Sequence, residues 1–349
     1  MKFIHAGDFH LGMEPDKDKP YGEERREELW EGFFRLIDIC QEEKPDLLLI
    51  AGDLFHRQPL VRDLQQVNYG FANLPATQVV MIAGNHDYLT PRSNYRNFKW
   101  AENVHLFLDD KWDRIYLPSC HTYLYGFSYH QRKAPGMRLS DIRPGQEEGY
   151  HILLAHGGEE GRLPIRSDWL AMMKFDYAAF GHIHKQQWLR KNAAFCGSFE
   201  PLDINETGAH GYILGELSEE ERSFRFIPAA KREYRQVRVE VIPGMTDWEV
   251  RHRIQEEIEA GGREHMYRFL LTGLRDRHVI FPVEEMQKLG RINQIIDETV
   301  PDYDFEGLER ENKNNVIGMY IEAVRKSGAP DEICDRALFL GMEVLTGTE

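Results

Sequence analysis

Cysteine is scarce. The 349-residue chain has four, at positions 40, 120, 196 and 334, with no CxxC pair among them. That spacing excludes a disulfide scaffold and a cysteine-rich zinc site, and predicts four reduced thiols in a cytoplasmic setting. No apolar run reaches the ~18–20 residues that a membrane span needs, so no membrane association is expected. The opening MKFIHAGDFH meets Asp8 before the apolar core of a signal peptide could form. Internal repeats and low-complexity tracts are missing as well. Positive charge is in deficit: 43 Lys and Arg against 58 Asp and Glu give a net −15. This argues against a protein that coats nucleic acid by bulk electrostatics. It leaves room for a nucleic-acid enzyme, because divalent metals supply local positive charge that such a count misses. What remains, 42% hydrophobic and 29% charged, is the composition of an ordinary globular protein, long enough for two domains or for one with an appendage.

KFIHAGD (2–8) reads as a short buried strand running into a turn. Residues 24–43 have helical spacing, with Leu29, Phe33, Leu36, Ile37 and Cys40 on one side. PDLLLIAGD (45–53) is a continuous apolar strand ended by Gly-Asp, as expected of a sheet covered on both faces. A helical stretch over 61–74 leads to another apolar strand, QVVMIAGN (78–85). The strand–helix–strand rhythm predicts α/β. Past residue 100 the strands shorten, at 121–129, 150–158 and 175–182, and 211–217 with 223–229 reads as a hairpin. The basic AAKREYR (229–235) marks a boundary. Beyond it lie a strand, a helix boxed by Thr246 and Glu249 and stopped at Gly261-Gly262, and a second strand, MYRFLLTGL. From about 281 the chain is predicted to be mostly helical. Its last helix bears a stripe of Ile333, Ala337, Leu340 and Val344 at 4-3-4 spacing.

The residues able to do chemistry recur in one setting, the end of an apolar strand. They are Asp8 and His10 in GDFH, Asp53 and His56 in AGDLFH, Asn85, His86 and Asp87 in AGNHD, His156 in LLAHGG, and His182 and His184 in FGHIH. In an open α/β sheet that edge is where ligands bind. Taken singly, a Gly-Asp is turn chemistry, and an isolated histidine is surface or satisfied core. The nine other histidines (5, 105, 121, 130, 151, 210, 252, 265 and 278) carry only that meaning. Five such segments in a common setting predict one shared site. If FGHIH leaves a strand, alternation turns His182 and His184 the same way. Asp, Asn and His without thiolate match the N/O coordination of Mn, Fe or Zn. Seven candidate ligands exceed what one tetrahedral ion needs, whereas two ions sharing a carboxylate handle phosphoester displacement. His182 and His184 are therefore expected on different ions.

The order DxH, GD, GNHD, HG, GHxH resembles the calcineurin-like metallophosphoesterases over residues 8–184. Within them it is most similar to the SbcD-type DNA repair exonucleases, bacterial relatives of the eukaryotic meiotic-recombination nuclease. GDLFHRQP places His56 three residues after Asp53 as in that branch, and CGSFEPLDINE (196–206) looks like its Gly-Ser-x-Glu segment. Phe9 stands where many relatives carry tryptophan, and Cys196 where proline is common. The closing stretch looks like that of a Bacillus-type subgroup paired with an SMC-like ATPase. The resemblance implies a four-layer α/β/β/α metallophosphoesterase sandwich over 1–230, a small α+β DNA-capping domain over 231–280, and a helical, partner-binding tail over 281–349.

It also assigns roles. Asp8, His10, Asp53 and His184 go to one divalent ion, and Asn85, His156 and His182 to a second that Asp53 bridges. Mn2+ is the expected metal, with Fe or Zn as alternatives. His86 contacts the scissile phosphate and helps the leaving oxygen, and His56 orients the substrate or His86. Arg92, Arg96, Lys99, Arg132 and Lys133 are candidate contacts to the DNA backbone. The implied activity is that of a Mn-dependent DNA exonuclease or endonuclease in DNA repair and recombination. It would act with an SbcC-like SMC-type ATPase and, as is common in the family, as a homodimer. The same metal site also serves a phosphatase or phosphodiesterase acting on a small nucleotide or a phosphoprotein, which stands as the alternative. His56 and His86 together argue against a third reading, a scaffold without activity.

Overall fold

Leu47, Leu49 and Ala51 belong to one buried cluster and Leu48 and Ile50 to another, so the strand that carries them is covered on both faces. The computed structural model describes residues 1–134, 136–159 and 161–346. The chain divides into two units, Met1–Tyr234 and Arg235–Glu349.

In the first unit, β1 (Lys2–Ala6), β2 (Leu47–Ile50), β3 (Gln78–Met81) and β4 (Val104–Leu106) run parallel. A second sheet is built from β5 (Asp113–Leu117), β6 (Thr122–Gly126), β7 (Tyr150–His156), β8 (Tyr177–Gly181), β9 (Gln187–Arg190) and β10 (Ala193–Phe195). Its order is β5-β6-β7-β8-β10-β9, and β6, β7, β8 and β10 are parallel. The expected hairpin, β11 (Gly211–Leu217) and β12 (Arg222–Pro228), returns antiparallel to β1 and completes the first sheet as β12-β11-β1-β2-β3-β4.

Three cores follow from strand alternation. Phe3, Leu49 and Val80 meet Leu124, Ile152, Leu154 and Ala179 between the sheets. On the outer face of the first sheet, Ile4, Leu48, Ile50 and Met81 pack on α1 (Gly22–Glu43) and α2 (Val61–Ala72) through Leu29, Phe33, Leu36 and Leu64. A short α3 (Asn94–Asn97) follows β3. The outer face of the second sheet, Tyr125, Leu153 and Phe180, clusters with Leu170 of α4 (Ser167–Met172). The layers are α/β/β/α, as expected. One helix face differs from a simple apolar stripe. Arg25 of α1 is fully buried, donating to Glu28 at 2.6 Å and to the Pro201 carbonyl at 2.5 Å. Glu28 in turn accepts from Arg232, so the basic stretch before residue 235 is tied to α1.

The second unit has β13 (Tyr234–Val241), β14 (Met266–Arg275), β15 (Ile292–Asp297) and β16 (Val300–Pro301), with α5 (Asp247–Gly261) and the short α6 (Val283–Met286). The predicted capping box is present: Glu249 N lies 3.4 Å from Thr246 Oγ1, and Thr246 N donates to Glu249 Oε2 at 2.7 Å. Val250, Ile254 and Ile258 bury against Val239, Tyr267 and Phe269. From 281 the chain is mostly helical, but it also holds two strands that the sequence did not announce, since β15 and β16 both pair parallel with β14. Ile292, Ile295 and Ile296 stand at helical spacing, but a β-branched run fits the pleated, half-buried surface better. Helices resume at α7 (Phe305–Glu311), α8 (Val316–Arg325) and α9 (Asp331–Thr346). These pack around Tyr303, Ile321, Leu338 and Met342. The stripe read from the sequence is the other face of α9: Ile333, Leu340 and Val344 are 58%, 56% and 82% exposed. Among the described residues no helix is long and apolar enough to cross a membrane.

Candidate metal centre

Parallel pairing sets the carboxyl ends of β1, β2 and β3 side by side in one sheet, and those of β7 and β8 in the other. The five chemistry-bearing segments leave from those ends. Asp8 N donates to the Gly52 carbonyl at 3.1 Å, His10 N to that of Asp53 at 3.0 Å, and His56 N to that of Leu11 at 3.1 Å. Asp8, His10, Asp53 and His182 have φ of 51°, 48°, 46° and 98°, four of the seven left-handed non-glycine residues among those described. Each such conformation costs on the order of 1–3 kcal/mol and survives only where its surroundings enforce it, commonly at functional sites. Gly52, at φ 90°, is required for a second reason: a Cβ there would lie 2.5 Å from His156 Nδ1. FGHIH is not a strand end with alternating side chains. β8 stops at Gly181 and the backbone turns at His182. The two imidazoles consequently part, His184 toward Asp8 and His10, and His182 toward Asp53 and His156.

His156 Nδ1 lies 2.9 Å from the Ala51 carbonyl oxygen. A carbonyl only accepts, so Nδ1 carries the proton and Nε2 presents a lone pair. That lone pair faces Asn85 Oδ1 at 3.0 Å and Asp53 Oδ2 at 3.3 Å. Three acceptors converge there with no hydrogen to share, an arrangement that a cation satisfies. His184 repeats the pattern. Its Nδ1 is 2.7 Å from Glu206 Oε1, and its Nε2 is 3.1 Å from His10 Nε2. Asp8 Oδ2 accepts from His182 N at 2.8 Å, while Asp8 Oδ1 is buried without a hydrogen-bond partner. Carboxylate, amide oxygen and imidazole without thiolate suit a divalent first-row ion. These residues fit such ions.

Without a metal, protons take its place. Burial opposes charge on His156, but the Asp53 carboxylate, with Asp8 beyond it, pushes the imidazole up to about 9. His184 reaches about 9 too, burial being overcome by Glu206 and then Asp8. Asp53 is held well below the carboxylate range despite burial, through His156 and His10. Burial pushes Asp8 up to about 6 and holds His182 down at about 3. Both raised imidazoles contribute stability fully below the unfolded value of ~6.5 and lose it as pH climbs through about 9. The Asp8 contribution is already gone by about pH 6 and stays outside this window. The metal-free chain is therefore expected to lose up to about 1.4 kcal/mol per pH unit for each imidazole between pH 6.5 and 9. Melts in EDTA across that range check this; an unchanging Tm would show that neither ring holds a proton.

His86 N donates to Asp53 Oδ1 at 2.8 Å, and its Nδ1 is 3.1 Å from the His56 carbonyl oxygen. The His86 ring centroid lies 4.8 Å from that of His10 and 5.0 Å from that of His56. Asp87 is fully buried and ties the two loops, accepting from Gly84 N at 2.7 Å and Phe55 N at 3.2 Å. Burial, then His86, lowers the His56 imidazole, and Arg57 and Arg132 lie near enough to lower it further. Arg132 is thus brought to the site, together with Arg57, which the sequence did not single out. Lys133 follows on the same loop, and Arg92, Arg96 and Lys99 sit on and around α3; of these four, Arg96 is half-buried and the rest are exposed.

Sequence reasoning missed three further neighbours. Glu206 holds His184, whereas Arg162 Nη1 lies 3.1 Å from His182 Nε2 and pairs with Glu159. Glu206 closes the 196–206 segment, which was a usable signal; nothing in GGEEGR points to Arg162. Glu200, the acid of Gly-Ser-x-Glu, lies elsewhere. It is buried and accepts from Arg35 at 2.6 Å and from Lys231 N at 3.0 Å.

Two mainly parallel sheets face to face, with imidazoles and carboxylates gathered beyond their strand ends, have the chemistry of a metal-dependent hydrolase. The family model for calcineurin-like phosphoesterases matches residues 1–186, and the chain belongs to that family, whose members hydrolyse phosphoesters. It is similar to the uncharacterized metallophosphoesterase YhaO of Bacillus subtilis, 28% identical over 251 residues, which cover 65% of this chain and 60% of that protein. The DNA double-strand break repair protein Mre11 of Methanocaldococcus jannaschii is 28% identical over 219 residues, 59% of this chain and 58% of that one. The SbcD component of the nuclease SbcCD of Staphylococcus saprophyticus is 24% identical over 326 residues, 83% of this chain and 82% of that one. The chain thus spans about three-fifths of the length of the first two.

Proposed function

We propose that this chain is a two-metal DNA nuclease, a Mn2+-dependent exonuclease or endonuclease that acts in cytoplasmic DNA repair beside an SMC-type ATPase. One observation carries the reading: two sets of facing acceptors share Asp53, and the His86 ring lies 4.8 Å, centroid to centroid, from that of His10 in one of them. Relatives named for double-strand break repair and for a component of the nuclease SbcCD point the same way. Asp8, His10, Asp53 and His184 would hold one ion, and Asp53, Asn85, His156 and His182 the other. Such a pair supplies a nucleophile at neutral pH and neutralises charge gathering on the phosphate. With Nδ1 committed to the His56 carbonyl, His86 has Nε2 left for the substrate. Protonated there, it gives that proton to the leaving oxygen. His56 orients the phosphodiester, and Arg57 and Arg132 receive its flanking phosphates.

The α+β module of the second unit caps the DNA, and the chain works as a homodimer. The exposed apolar face of α9 docks the ATPase as an amphipathic helix. Deleting residues 305–349 leaves every strand of the second unit's sheet in place. The shortened protein is expected to remain a folded Mn2+-dependent nuclease that no longer co-purifies with the ATPase. An insoluble product would instead assign α9 to core packing.

The functional test is degradation of labelled single- and double-stranded DNA with Mn2+, Mg2+ or EDTA, beside a panel of nucleotide and aryl phosphoesters. Metal-dependent shortening of DNA, fastest with Mn2+, is expected. Hydrolysis confined to a small nucleotide or a phosphoprotein would replace the nuclease reading with a phosphatase one.

A further inference from the structure

The segment 196–206 has no part in the reaction as proposed, yet it is built onto His184. Ser198 N donates to the His184 carbonyl at 2.9 Å. Gly197 sits at φ 80°, where a Cβ would come within 2.8 Å of that same oxygen. The end of the segment then returns to the imidazole. Glu206 Oε1 accepts His184 Nδ1–H at 2.7 Å, and Oε2 accepts from Leu202 N at 2.8 Å and from Ser198 Oγ at 3.3 Å. Both carboxylate oxygens are engaged and the side chain is only 15% exposed, so it cannot swing away cheaply. The other set of acceptors is made differently. There the Nδ1–H of His156 meets a neutral acceptor, the Ala51 carbonyl.

We infer that Glu206 is a positioning residue for the first ion alone, fixing the His184 tautomer whose Nε2 lone pair faces His10. The inference rests on the two-ion reading above and adds to it an asymmetry: His184 Nδ1 in the first set is backed by a carboxylate, whereas His156 Nδ1 in the second is backed by a carbonyl. A hydrogen bond to an ionised acceptor is roughly twice as strong as a neutral one and makes the ligand more basic. Removal of Glu206 therefore weakens one ion and spares the other.

The test titrates Mn2+ into the full wild-type chain and into Glu206→Ala and Glu206→Gln, by calorimetry and by the free-Mn2+ paramagnetic resonance signal. Melts in EDTA establish that each variant is folded. In Glu206→Ala one binding step is expected to weaken by about 10–100-fold, with the other unchanged. Glu206→Gln, whose amide oxygen still accepts, should fall between. If the alanine variant does not fold, the isosteric glutamine variant decides, and wild-type binding in it overturns the inference. Adding Glu206→Ala to His184→Ala should cost little more, whereas adding it to His156→Ala should cost its full amount, because Glu206 acts only through His184. Undiminished binding in both variants, or equal weakening of both ions, overturns the assignment of Glu206. A wild-type chain that binds fewer than two ions overturns the two-ion reading itself.

Discussion

Asp53→Asn is expected to lower the affinity for both ions and to reduce turnover by at least two orders of magnitude. Asp53 Oδ2 lies 3.3 Å from His156 Nε2 and 3.7 Å from His10 Nε2, so one carboxylate faces both sets of acceptors. Its other oxygen is anchored by His86 N at 2.8 Å. Asparagine keeps the shape and can keep that anchor, so no cavity or backbone shift clouds the result. What it removes is the charge, and a preorganised electrostatic group of this kind is worth about 10²–10³ in rate. Manganese content after gel filtration and the rate of DNA cleavage check the two halves separately. Unchanged ion content in Asp53→Asn would contradict a shared role.

His86→Ala is expected to behave in the opposite sense, keeping both ions while losing two or more orders of magnitude in rate, the scale of general acid catalysis. The contrast follows from which atoms do what. The tie from residue 86 to Asp53 is made by the main chain, which alanine preserves, and only the imidazole is deleted. The measurement is ion content and rate on the same preparation. Loss of metal in this variant would move His86 from the reaction to the support of the site.

The fold was legible in its apolar strands because Leu47–Ile50 and Gln78–Met81 are covered on both faces and need no alternation to be recognised. The five site segments were legible for the same reason, since each follows a buried strand whose direction fixes where its loop opens. What the sequence concealed depends on contacts between distant residues. Glu206 reaches His184 across 22 residues, and Arg25 is buried only because Glu28 and Pro201 receive its charge. Nothing in FGHIH announces the positive φ at His182 that separates its two histidines. The strand at Ile292–Asp297 was hidden by helical spacing, and its pairing with β14 decided the matter.

Everything proposed for the reaction depends on two ions sharing one carboxylate, and counting ions tests that most directly. Wild-type protein, stripped with EDTA, reloaded with excess Mn2+ and freed of unbound metal, should carry two equivalents per chain by elemental analysis. One equivalent at saturation would contradict the account.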